Sequence, residues 1–268
     1  MNEVASIRKK SQDMGRVVTE RKDHIFLIGI DRPDKYNGFT PKMCLELAQA
    51  YTDYEADANL RCAVLFAAGN NFTAGLQLSE FDITQPDFFP KDMIDPLNLR
   101  EPFRRKPVIA AVKGICFTIG IELMLAADIV VAEEDTRFGQ VEVKRGLMAF
   151  GGATMRFVER AGWGNAMRFL LTGDEFSAKT AGRLGFVQEI VPKGKCEARA
   201  IELAQSVAMQ APLAVQATRE NSAIYERDGP AAAVHAFERQ LSAIAGTEDF
   251  AEGVQSFVER RDGDFKGR

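Results

Sequence analysis

The chain has only two histidines, His24 and His235, and four cysteines, Cys44, Cys62, Cys116 and Cys196, none at a CxxC spacing. A structural zinc site or a disulfide framework needs such ligands in clusters, so neither organises this protein and no metal is expected. No run of about 18 apolar residues occurs, so nothing is available to span a bilayer as a helix. The opening MNEVASIRKKSQDMG has charge but no apolar segment; it does not read as a signal peptide, and a cytoplasmic location is expected. Positive charge is not in excess either: the net charge is −4 and the basic residues are scattered, which argues against nucleic acid as a partner. GxxxxGK[ST], GxSxG and HExxH are absent, and Gly162-Trp163-Gly164 follows a helical pattern without the third glycine of a dinucleotide-binding turn.

What is present is an ordinary globular balance, 46% hydrophobic and 27% charged over 268 residues, enough to bury a sizeable core. Strand and helix signals alternate to about residue 192 and give way to helices alone, over 196–210, 212–226, 230–245 and 248–260. Three regions are expected: a flexible tail over 1–15, an α/β core over 16–194 and a helical region over 195–268. Val17–Glu20 and Ile25–Ile30 read as paired strands around a polar turn that holds His24. Thr40-Pro41 reads as the cap and first residue of a helix whose Met43, Leu47, Ala50, Tyr51 and Tyr54 share one face. Residues 61–68 form a short strand of the doubly buried kind, and Gly185–Val191 a further strand. Residues 82–106 lack periodicity; Phe81, Phe88, Phe89, Met93 and Leu97 there suit either the wall of an apolar pocket or satellite core packing. The run Arg104-Arg105-Lys106 reads as solvated surface.

Residues 107–142 concentrate the chemistry. An apolar strand (Pro107–Val112) leads into a turn with two glycines, a helix opens near Ile119–Glu122, another strand follows over 129–132, and a second acid stands at Glu142. A helix start carries N–H groups without intrahelical partners and a partial positive charge, so negative charge developing on a substrate can be held there between two carboxylates. The plainer reading stands beside it: Glu122 favoured by the helix dipole alone, and Glu142 a solvated loop residue.

Four segments bear on the choice: DRPDKYNGFT (Asp31–Thr40), NFTAGLQL (Asn71–Leu78), GICFTIGIELMLAAD (Gly114–Asp128) and FGQVEVKRGLMAFGGAT (Phe138–Thr154). Their order and spacing resemble the crotonase superfamily, also called the enoyl-CoA hydratase/isomerase family, over nearly all of residues 17–268. The family counterparts are N-R-P-x-x-x-N-A-[LF], x-F-[CST]-A-G-x-D-L, G-x-[AC]-x-G-G-G-x-E-L-x-L-A-x-D and F-x-x-P-E-x-x-x-G-x-x-P-x-x-G-G-[ST]. The tail FVERRDGDFKGR is similar to the family ending F-x-x-K-R-x-P-x-F-x-G-R.

The resemblance implies an α/β fold, the crotonase-like (ClpP/crotonase) spiral of ββα units with a C-terminal helical region, and hydration of a 2-enoyl-CoA to the 3-hydroxyacyl-CoA. It implies that the backbone N–H groups of Leu76 and Ile119 polarise the thioester carbonyl, while Glu122 and Glu142 bracket the substrate's Cα and Cβ. Contacts to the substrate and its CoA fall on Lys35, Tyr36, Ala74, Gly75, Leu76, Gln77, Leu78, Ile119 and Phe150. Coenzyme A belongs to the substrate, so no separate cofactor is implied. The partners are an acyl-CoA thioester and further copies of the chain, as a homotrimer or dimer of trimers built partly through the C-terminal helices; no nucleic acid or membrane is implied. Double-bond isomerisation, which needs one competent glutamate, and acyl-CoA hydrolysis are the alternatives within the superfamily, and a non-catalytic acyl-CoA-binding protein is the alternative outside enzymes. The chain departs from the pattern where Thr118 and Ile119 replace two glycines, Gln77 an Asp, Val141 a Pro and Ala149-Phe150 a Pro-Gly. Phe150 adds bulk near the acyl site, and Arg145, if turned inward, would pair with a carboxylate and lower its pKa.

Overall fold

The computed structural model describes residues 14–85 and 88–268. Of the tail expected over 1–15, all but Met14 and Gly15 lies outside the described residues. Apolar and β-branched residues on either side of the turn at Asp23 and His24 form an antiparallel pair, β1 (Arg16–Lys22) and β2 (Ile25–Asp31). The remaining strands are β3 (Cys62–Ala67), β4 (Val108–Val112), β5 (Ile115–Phe117), β6 (Ile129–Glu133), β7 (Arg137–Gly139), β8 (Phe176–Ser177) and β9 (Glu189–Val191). One sheet runs β1-β2-β3-β4-β6-β9, parallel from β2 onward; a second, small sheet runs β5-β7-β8.

Both faces of the large sheet are covered, which is why its central strands read as continuous apolar runs. Alternate residues diverge: Ile25, Leu27, Cys62, Val64, Ile109, Ala111 and Val131 pack on the helix Cys196–Ala208, whose Ala200, Ala204 and Ala208 recur every fourth residue and permit close approach. Phe26, Ile28, Leu65, Ala110 and Val130 face the main core with the helix Pro41–Ala56, where Met43, Leu47, Tyr51 and Tyr54 are buried. That helix starts as its sequence predicts: the Thr40 hydroxyl accepts from the Met43 N–H and Pro41 occupies the first turn. The helices Pro212–Asp228, Pro230–Ala245 and Glu248–Glu259 follow Cys196–Ala208, and no helix among the described residues is long and apolar enough to cross a membrane.

Three expectations need correction. The strand expected over 185–191 is ordered as β only over Glu189–Val191. The small sheet was not foreseen; β5 lies inside residues read as a turn, because strands of three residues are too short to show periodicity. Arg104 and Lys106 are buried, not solvated. The Lys106 ammonium donates to the carbonyls of Tyr54 (2.9 Å) and Asp57 (2.6 Å). The Arg104 guanidinium donates to Asp128 Oδ2 (2.6 Å), Lys106 O (2.6 Å) and Ala126 O (2.8 Å).

Asp128 is the junction of this network. It also accepts from the Val108 N–H (2.8 Å) and from Arg219 Nε (2.8 Å), so it ties the start of β4 to the helix Pro212–Asp228. Burial opposes its charge, but Arg104 and Arg219 outweigh that and hold its carboxyl below the usual range. Removing the carboxylate leaves a buried guanidinium without its counter-charge. Asp128→Ala is therefore expected to destabilise the fold by about 3 kcal/mol, read as a lower urea midpoint; an unchanged midpoint would show the network to be dispensable.

Candidate active site

The site is assembled by backbone pairing between two distant loops. After β3 the chain enters 69–78, and there Phe72 N–H donates to Lys113 O (2.8 Å), Thr73 N–H to Ile115 O (3.0 Å) and Phe117 N–H to Thr73 O (3.0 Å). These bonds form a parallel bridge between Thr73 and Cys116. Asn37, held at φ 55°, clamps the loop from the other side: its amide donates to Ala68 O and Asn71 O (both 2.8 Å), and its carbonyl accepts from the Thr73 hydroxyl (2.7 Å). Three residues beyond the bridge in each segment stand Leu76 and Ile119.

Neither residue has an internal partner for its N–H among the described residues. The flanking groups of Leu76 are spent, since Phe39 N–H donates to Gly75 O and Gln77 N–H donates to Phe39 O (both 2.9 Å). Ile119 opens the helix Ile119–Ala126, ahead of the first N–H groups with helical acceptors, those of Ile121 and Glu122, which donate to Thr118 O. Gly75, at φ 116°, is required by this contact, because a Cβ there would collide with the Thr118 hydroxyl. Thr118 itself sits at φ 52°, ψ −118°, a strained conformation for a β-branched residue that costs about 1–3 kcal/mol.

Glu122 lies on the first turn of the same helix and is only 5% exposed. Its Oε1 accepts from the Gly151 N–H (2.6 Å) and the Ala153 N–H (3.3 Å). Gly151 is needed for that approach, since a Cβ would meet the carboxylate. Burial raises the Glu122 pKa to about 6 against the opposing pull of those N–H groups and of Arg156. Glu142 begins a short 3₁₀ turn, Glu142–Arg145, and is half-buried; Gln140 Nε2 donates to its Oε1 (2.9 Å), and its buried Oε2 has no partner among the described residues. Burial raises its pKa to about 7; its own N–H opposes, and the charge of Glu122 adds to the rise. Arg145 lines the same cavity but forms no ion pair with either acid among the described residues, and both carboxyl pKa values are raised, not lowered.

Both glutamates open on one cavity of about 380 Å³, also lined by Ala74, Gly75, Leu76, Leu78, Thr118, Ile119 and Phe150. One wall is apolar, formed by Phe88, Phe89, Leu97 and Phe150; Phe88 stands edge-on to Phe150 and, outside the lining, to Phe81. The irregular 82–106 segment thus does both things foreseen for it. Lys35 and Tyr36 are exposed on a turn outside the cavity lining, joined to it where Ala74 N–H donates to Tyr36 O (2.9 Å). Gln77 also lies outside the lining; its side chain accepts from Arg32 (2.7 Å) and donates to Glu80. Gln140, Gly151 and Ala153, which orient the acids, were not singled out from the sequence. The Gly151-Gly152 pair is the one local sign of a close backbone approach there.

The family model for enoyl-CoA hydratase/isomerase matches residues 20–268. The 2,3-dehydroadipyl-CoA hydratase of Escherichia coli is 31% identical, over 95% of this chain and all of the relative. The enoyl-CoA hydratase EchA19 of Mycobacterium tuberculosis is also 31% identical, over 94% of this chain and 96% of its own. Among solved structures, a probable enoyl-CoA hydratase/isomerase from Mycobacterium abscessus superposes with a TM-score of 0.90 at 45% identity, covering 94% of this chain and 98% of that one. The fold is the crotonase fold.

The raised Glu142 pKa has a consequence for stability. The folded chain holds this proton more tightly than the unfolded chain, so the contribution is complete below 4.5 and is lost as pH rises to about 7. Glu142→Gln should remove that dependence and stabilise the protein at pH 8 by about 1 kcal/mol, after discounting for partial exposure. Urea unfolding of both proteins at pH 5 and pH 8 checks it; parallel losses would show that Glu142 titrates normally.

Proposed function

The chain belongs to the enoyl-CoA hydratase/isomerase family, and from that premise we propose that it hydrates a 2-enoyl-CoA thioester to the 3-hydroxyacyl-CoA. The observation that carries this reading is the convergence on one cavity of two carboxyls with raised pKa values and two unspent amide N–H groups. In the proposed reaction the thioester oxygen lies between the Leu76 and Ile119 amides. Water loses a proton to Glu122 and its oxygen bonds to Cβ. The double-bond electrons move toward the carbonyl, and the enolate formed there is stabilised by the two donors, on the order of 3 kcal/mol each. Glu142 then delivers a proton to Cα, and the proton held on Glu122 returns through solvent.

The roles follow from the environments. Glu122 accepts two backbone N–H bonds, which favour its ionised form and suit it to act as base. Glu142 has the higher pKa and an unpartnered oxygen, which suit it to carry the proton for Cα. The wall of Phe88, Phe89, Leu97 and Phe150 provides the apolar surface for the acyl chain. Exposed apolar residues line up on the helices Pro230–Ala245 (Val234, Phe237, Leu241) and Glu248–Glu259 (Phe250, Val254, Phe257). Patches of that kind mark interfaces, and they support assembly into a trimer or dimer of trimers through this region.

Loss of the enoyl thioester's ultraviolet absorbance measures hydration directly. Glu122→Gln and Glu142→Gln should each lower kcat/KM by about 10²–10⁴-fold. Full activity in either variant, or a wild type inert toward a panel of enoyl-CoAs, overturns the reading; survival of double-bond migration in one variant identifies an isomerase. The pH profile of kcat/KM should be a bell, falling below about 6 as Glu122 is protonated and above about 7 as Glu142 loses its proton. A flat profile from pH 5 to 9 would remove both acids from the reaction.

A further inference from the structure

Thr118 stands at the junction of the two loops and spends its hydroxyl on nothing. It is the residue before the helix Ile119–Ala126, the position at which a threonine ordinarily accepts a hydrogen bond from an N–H two or three residues on. Thr40 and Thr247 do this for their own helices. Thr118, at φ 52° and ψ −118° instead of the extended backbone of those two caps, makes no such bond. No other acceptor or donor meets the hydroxyl among the described residues. Its oxygen lies against Gly75, directly before the first amide, while its own carbonyl carbon is bonded to the nitrogen of the second. Both Thr118 and Gly75 line the cavity.

Steric strain, an unused capping group and an outlook on the cavity coincide in one side chain. Strained backbone persists where the surroundings over-determine it, and such positions cluster at reacting sites. A hydroxyl rotates freely about its C–O bond and can donate to an oxygen held beside it, which a glycine at this position cannot do. We propose that the Thr118 hydroxyl is a third hydrogen-bond donor to the thioester oxygen, so that the enolate is held by two amides and one side chain. This rests on the hydratase reading for the oxygen's location. The hydroxyl donates without transferring its proton, so it adds no step to the reaction.

Three variants test it: Thr118→Val keeps the branched shape without the hydroxyl, Thr118→Ser keeps the hydroxyl, and Thr118→Gly releases the strain. Thr118→Val is expected to lower kcat by about 10–100-fold with KM within about threefold of wild type. Thr118→Ser should recover most of the loss. Thr118→Gly should melt higher than wild type yet be as slow as Thr118→Val, which separates the donor from the strain. The infrared carbonyl band of a bound, isotope-labelled enoyl-CoA should move to higher frequency in Thr118→Val and return in Thr118→Ser, a readout that needs no turnover. An unshifted band with kcat within threefold of wild type in Thr118→Val overturns the third donor and leaves the hydratase reading standing. A shifted band in a protein that hydrates no enoyl-CoA keeps the donor and removes the hydratase reading; a wild type that binds no acyl-CoA removes both.

Discussion

The parallel bridge between Thr73 and Cys116 is the interaction on which the geometry of the cavity rests. It brings the loop after β3 alongside β5, in register, so that Leu76 and Ile119, far apart in the chain, line one cavity with their amide hydrogens unspent. Asn37 fixes the loop from the β2 side, the Thr73 hydroxyl holds both Asn37 and the Gly75 N–H, and Gly75 gives way to the Thr118 side chain. An oxyanion site needs donors held before the charge appears, and a loop pinned by its own backbone hydrogen bonds can hold them.

Around that frame the fold spends its polar residues on holding and tuning. Two acids are drawn out of water, so each keeps its proton to higher pH than a free carboxylate, and the charge of Glu122 adds to the effect on Glu142. Backbone N–H groups from 151 and 153 then set them apart by favouring the ionised form of Glu122. Far from the cavity, Asp128 uses the same physics in the opposite sense: two guanidiniums hold its carboxyl ionised and tie the sheet to a C-terminal helix. Local environment, more than residue type, decides which carboxyl keeps its proton and which one braces the fold.

Much of this was legible beforehand, and the reason is local. The Thr40-Pro41 helix start, the β1–β2 pair, the doubly buried strands and the four C-terminal helices follow from caps, turns and apolar period, all of which act over a few residues. The segments bearing Gly75, Ile119, Glu122 and Glu142 stood out because they carry unusual residues in fixed order. The small sheet did not stand out, since three-residue strands have no period, and Arg104 and Lys106 read as surface because a basic run usually is surface.

The sequence by itself determined which elements form, which glycines permit close backbone approach and which acids were available. Only the tertiary structure decided that Gln140 would hold Glu142, that Gly151 and Ala153 would hold Glu122, and that Thr118 would line the cavity with its hydroxyl against Gly75. Those outcomes depend on distances between residues far apart in the chain and on exclusion of water from the space between them. Neither quantity exists until the chain has folded.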